Sequence, residues 1–117
     1  MFLYCDMILH TNDWGYFKTE TLITDDGFGM VGIDYEKDKP EVAMIHDLSV
    51  IPPARKKGMA KALLTKAIEQ AREHNCKYAE LNYCHRVTPQ WVYNWYERNG
   101  FEEVGFGNWN ILMRKTL

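Results

Sequence analysis

The chain has 117 residues, enough for one domain with one core and too few for two that could each bury enough surface to fold alone. Its 46% hydrophobic and 26% charged residues exclude a disordered or fibrous class, and a formal net charge of -2 argues against non-specific nucleic-acid binding, which needs many phosphates neutralised at once. The three cysteines, Cys5, Cys76 and Cys84, are odd in number and lack metal-ligand spacing. They are expected to be reduced, buried packing residues in a cytoplasmic protein, with no metal site.

In chain order, the opening Met1 to Leu9 is apolar but interrupted by Asp6 and lacks a basic leader, so it reads as a strand and neither a signal nor a membrane span is expected. Residues 19–24 and 28–35 are β-rich runs on either side of Asp25-Asp26-Gly27, which predicts a hairpin. Residues 41–51 (EVAMIHDLSVI) have a nearly continuous apolar centre, the pattern of a strand covered on both faces.

After Pro52-Pro53, apolar Ala60, Leu63, Leu64, Ala67, Ile68 and Ala71 recur at helical spacing within residues 57–75. Residues 77–84 predict another strand. Thr88 is placed to cap a helix that starts at Pro89 and ends at Asn99-Gly100, and residues 101–107 and 108–115 predict two closing strands. The fold class is therefore α/β: a mixed, mainly antiparallel sheet flanked by helices, with a strand-helix-strand core, in one domain over 1–117. The 14% aromatic content reads as core filling.

The segment from Leu48 to Leu64 runs from a strand through a basic, glycine-containing turn into a helix. A helix start presents unpaired N–H groups and partial positive charge, a ready phosphate site, and Arg55, Lys56 and Lys57 add charge beside it. Within this segment no second glycine lies upstream of Gly58 and no Ser or Thr follows a Gly-Lys pair, so a Walker loop is disfavoured, and the segment also fails the GxGxxG test for a dinucleotide fold.

This segment resembles the cofactor loop of the GNAT acetyltransferases, whose pattern is Gln or Arg, two residues, Gly, one residue, then Gly or Ala. Arg55, Gly58 and Ala60 match it, with Leu48-x-Val50-x-Pro52 before and Ala62-Leu63-Leu64 after. Trp95 to Gly105 resembles the family's second signature through Tyr96-Glu97 and Gly100-Phe101. The resemblance covers roughly residue 28 onward; the remainder is too short for the family's usual first two helices, and Pro89 and Val92 stand where relatives often carry Asn and a small residue.

The resemblance implies transfer of an acetyl group from acetyl-CoA to a primary amine, on a small molecule or a protein, through a tetrahedral intermediate. It implies cofactor contacts from Leu48, Ser49 and Val50 on the strand and from Arg55, Lys56, Lys57, Gly58, Met59, Ala60 and Lys61 in the loop and first helical turn. Tyr96 is the implied acid for the leaving thiolate; its phenol, with a reference pKa of about 10, is protonated at neutral pH. The base is open among His46, Asp47 and His85. Strand alternation puts His46 and Asp47 on opposite faces, so at most one faces the substrate. A Cys84–His85 nucleophilic pair ranks low, because sequence neighbours seldom form such a dyad. The rival expectation is a non-catalytic acyl-CoA-binding module on the same fold. Nucleic acid and membrane are not expected as partners, and exposed sheet edges favour a homodimer.

Overall fold

The computed structural model describes residues 7–55 and 58–117. Seven strands, β1 (Met7–Asp13), β2 (Phe17–Thr24), β3 (Gly29–Glu36), β4 (Val42–Val50), β5 (Tyr78–Tyr83), β6 (Glu102–Phe106) and β7 (Ile111–Thr116), form one sheet in the order β1-β2-β3-β4-β5-β7-β6. Two helices, α1 (Met59–Glu73) and α2 (Gln90–Arg98), flank it. Every neighbouring strand pair is antiparallel except β4 and β5, which α1 connects as a crossover.

The predicted elements are all present, with ends moved by at most three residues except in the opening strand, which runs four residues past Leu9 to Asp13 and whose residues 1–6 lie outside the described residues. The expected Thr88 cap does not form. Helix α2 begins one residue later, Pro89 takes the cap position without a side-chain hydrogen bond, and the Thr88 carbonyl instead accepts the Tyr83 hydroxyl at 2.7 Å. At its other end α2 stops in a Schellman turn: Gly100 at φ 93° lets its own N–H reach the Glu97 carbonyl and the Phe101 N–H reach that of Tyr96.

One face of the sheet carries the core. Leu22, Val31, Ile33, Ala43, Ile45, Ala79, Leu81 and Met113 point to it, and α1 lays Met59, Leu63, Leu64, Ala67, Ile68 and Ala71 against them. Helix α2 lies on the same face, with Tyr93 edge-on to Tyr83 and Tyr96 edge-on to buried Phe101. Among the described residues, no helix lies on the opposite face. This corrects the reading of β4 as covered on both faces: its buried positions, Ala43 and Ile45, alternate with half-buried Met44 and His46.

The aromatic residues fill the core only in part: Tyr83 and Phe101 are buried in it and Tyr35, Tyr93, Trp95 and Tyr96 pack against it, whereas Trp14, Trp91 and Trp109 are exposed. Cys76 is buried as expected, whereas Cys84 is exposed; both are free thiols, and Cys5 lies outside the described residues. No helix of the described residues is long and apolar enough to cross a membrane.

Leu63 is fully buried at the contact of α1 with the sheet. Leu63→Ala should destabilise the fold by about 2–5 kcal/mol, read as a lowered urea midpoint at unchanged slope.

Candidate functional site

Parallel pairing of β4 with β5 covers only Val42↔Tyr78, Ala43↔Ala79 and Met44↔Glu80. Beyond it the strands part. The cause lies on the other side of β4: Met30 pairs with Ser49 but Gly32 with His46, so Val31 alone stands opposite both Asp47 and Leu48. Asp47 adopts φ 53°, and such a bulge bends its strand. The parting opens a cleft of about 980 Å³ bounded by the second half of β4, the end of β5, the start of α1 and one side of α2.

One wall is a free strand edge. The Ile51 N–H donates to the Phe28 carbonyl, towards β3. Backbone groups of successive strand residues point to alternate sides, so Val50 and Leu48 present theirs to the cleft. Ser49 pairs with Met30 and reaches the cleft as an exposed residue.

At one end of this wall stands the start of α1. Gly58, at φ 80°, turns the chain into the helix, and the first helix bond runs from the Ala62 N–H to the Gly58 carbonyl. The N–H groups of Met59, Ala60 and Lys61 precede it and have no acceptor within the helix. Arg55 donates through Nε to the Val50 carbonyl at 3.0 Å, which folds its guanidinium back over the strand end. Arg55, Gly58, Met59, Ala60 and Lys61 all line the cleft. The Lys61 ammonium is turned away, to Asn99 at the end of α2, so this residue offers the cleft its backbone. Lys56 and Lys57 lie outside the described residues.

Across the cleft, α2 contributes Trp91, Val92, Trp95 and Tyr96. No α2 residue from Gln90 to Arg98 is fully buried. Burial pushes the Tyr96 phenol above its ordinary pKa, which keeps the proton on it at neutral pH. Its hydroxyl makes no hydrogen bond within the described residues.

At the bulge the alternation expected of His46 and Asp47 fails. With an extra residue in the strand both side chains come together, His46 Nδ1 at 2.8 Å from Asp47 Oδ2, and both residues line the cleft. The other ring nitrogen, Nε2, lies 2.9 Å from Asp34 Oδ1 on β3. Burial lowers the His46 pKa, but hydrogen bonds and charge from Asp47 and Asp34 outweigh it and hold the imidazole above its ordinary value. Asp34 escaped the sequence reading because only the β3–β4 register brings it to His46. His85 stands apart: its Nε2 faces the Gly107 carbonyl at 3.3 Å and its ring stacks on Phe106, so it forms no pair with Cys84, which lines the cleft alone.

The family model for the acetyltransferase (GNAT) family matches residues 8–101. An uncharacterised N-acetyltransferase of Methanocaldococcus jannaschii is 39% identical over 66 residues, 56% of this chain and 28% of that relative, so the chain spans less than a third of its length. In architecture the chain is similar to a GNAT-family acetyltransferase of Staphylococcus aureus Mu50 (TM-score 0.69, 19% identity, 86% of this chain and 68% of that one). It is likewise similar to PaiA N-acetyltransferase of Thermoplasma acidophilum, whose structure contains coenzyme A (TM-score 0.71, 17% identity, 86% of this chain and 61% of that one).

A histidine whose folded pKa is raised adds stability that is complete below the unfolded value of about 6.5 and is lost as pH rises through the folded one. His46→Gln should therefore lower the melting temperature most near about pH 5.5 and least near about pH 9. Paired thermal scans across that range check this.

Proposed function

We propose, from the premise that this chain belongs to the GNAT acetyltransferase family, that it transfers an acetyl group from acetyl-CoA to a primary amine, carried by a small molecule or a protein. The observation that carries the reading is the cleft between β4 and β5, with a free strand edge along it, a helix start at one end and a protonated tyrosine across it.

These residues fit the donor. An extended amide-bearing arm can pair with the Leu48 and Val50 backbone as an added strand would, and a pyrophosphate suits the unpaired N–H groups of Met59, Ala60 and Lys61, with Arg55 beside them. Coenzyme A in the Thermoplasma acidophilum relative supports the same donor class here.

Acetyl-CoA supplies an activated thioester: a C–N bond forms to the amine as the C–S bond breaks. The protein handles the protons. The His46–Asp47 pair at the bulge removes one from the ammonium so that the nitrogen can attack, and later returns it to water. Tyr96 gives its proton to the departing thiolate, and the phenolate recovers one from the nitrogen that has just been acylated. A backbone N–H at the cleft edge stabilises the developing oxyanion.

Calorimetric titration with acetyl-CoA should show saturable binding to the native protein and none to Gly58→Trp, whose indole would fill the helix start; circular dichroism confirms that the variant is folded. Absence of binding to the folded native protein would refute the assignment. Tyr96→Phe should keep acetyl-CoA binding and lose roughly a hundredfold or more in kcat in a free-thiol assay run over a panel of amines. Unchanged turnover would move the acid elsewhere, and a folded protein that binds acetyl-CoA but acetylates no amine would favour the binding-module reading.

A further inference from the structure

A line of hydrogen bonds crosses the helix-free face of the sheet and ends at the cleft. The Trp14 indole Nε1 lies 3.1 Å from Thr19 Oγ1 on β2, Thr19 Oγ1 lies 2.7 Å from Asp34 Oδ1 on β3, and the same oxygen lies 2.9 Å from His46 Nε2 on β4. The register makes this line possible, since Thr19 stands opposite Asp34. Gly32 seats the imidazole: a Cβ there would lie 2.8 Å from both ring nitrogens, so only glycine lets the ring lie across β3.

The proton directions along the line follow from which groups can donate. An indole N–H only donates, so Thr19 oxygen accepts from it and spends its single hydrogen on Asp34. An ionised carboxylate only accepts, so the hydrogen between Asp34 and His46 sits on Nε2. Asp47, also an acceptor, keeps a proton on Nδ1 for as long as it stands against it. The Asp47 side chain is 70% exposed, whereas those of Asp34 and His46 are 29% and 33% exposed, so Asp47 is the partner free to swing away.

We propose that Asp34, held by Thr19 and Trp14, is a positioning residue that fixes His46 as its Nε2–H tautomer, making Nδ1 the atom that takes the amine's proton once Asp47 swings out to pair with the incoming ammonium. This rests on the acetyl-transfer reading above. The protons balance: as Asp47 leaves, Nδ1 gives to water the proton it had shared with Asp47, the ammonium's proton then passes to Nδ1, the free amine attacks the thioester carbon, and Asp47 comes back against the re-protonated ring. The charged groups facing His46 within the described residues are Asp34 from β3 and Asp47 from its own strand, while β2 contributes only the neutral Thr19 to the line. Burial of the ring opposes its charge, and the two carboxylates prevail.

Long-range proton–nitrogen NMR of histidine-labelled protein tests this with no donor or acceptor present. The neutral ring of His46 should carry its proton on Nε2, with a titration midpoint above that of a histidine in an unfolded chain. Asp34→Asn should move the midpoint down and mix the two tautomers, and Thr19→Val should shift it the same way by less. If Asp34→Asn does not fold, the native tautomer and Thr19→Val still decide. A neutral ring protonated on Nδ1, or a midpoint that neither variant moves, overturns the proposal; a merely structural Asp34 would lower the melting temperature of its variant without changing the tautomer. Because acetyl-CoA is absent from this measurement, its failure and the failure of the acetyl-CoA titration are separate results.

Discussion

The arrangement depends on the bulge in β4. Up to Met44 that strand is held on both sides, by β3 and by β5. Past it, an extra residue at Asp47 and Leu48 turns the strand, and pairing with β3 resumes at Ser49 while pairing with β5 does not. A parallel sheet that lost its pairing elsewhere would leave buried backbone groups unsatisfied at several kcal/mol each in the worst case. Here the unpaired groups face an open cleft and can be satisfied by water or by a bound chain. The same bulge places His46 beside Asp47, so one irregularity both opens the cleft and brings these two side chains together at it.

The one-sided layering has a second effect. Because α1 and α2 share a face, they meet: Lys61 of α1 reaches Asn99 at the end of α2, and Lys115 of β7 donates to the Asn99 carbonyl at 2.7 Å. The cleft's two helical walls are thus tied at one corner, beside the Schellman turn at Gly100. At the far end of α1 a buried carboxylate fixes the helix to the sheet, with Glu20 accepting from the Tyr35 hydroxyl at 2.8 Å and facing His74 Nε2 at 3.1 Å. Both ends of α1 are therefore anchored by polar contacts as well as by its apolar stripe.

Much of this was legible in the sequence because it is local. Apolar positions every three or four residues placed α1, Asp25-Asp26-Gly27 placed the β2–β3 turn, and Asn99-Gly100 placed the end of α2. The stretch from Arg55 to Lys61 marked the helix start at the cleft, and Tyr96 the opposite wall. Non-local features were not legible. Alternation assigned His46 and Asp47 to opposite faces because a bulge depends on how β4 registers with β3, which no window of one strand contains. Asp34 and Gly32 looked like ordinary strand residues until pairing set them under the His46 ring. The apolar run in β4 suggested two covered faces, yet Met44 on the helix-free side is only half-buried.

The strand order carries a consequence for how the chain is made. Strand β7 lies between β5 and β6, pairing Ile111 to Thr116 with the first and Ile111 to Arg114 with the second. Among the described residues β6 pairs with β7 alone, and apart from β7 strand β5 has its three-residue pairing with β4, so neither is fully paired until residues 111–116 leave the ribosomal tunnel. The β1–β4 meander can form during vectorial synthesis, but the half-sheet of β5, β6 and β7 must wait for β7 to thread between the two made before it. Closure of the cleft's far wall is therefore a late folding event, and chains arrested before residue 111 present β5 and β6 as open edges to chaperones and proteases.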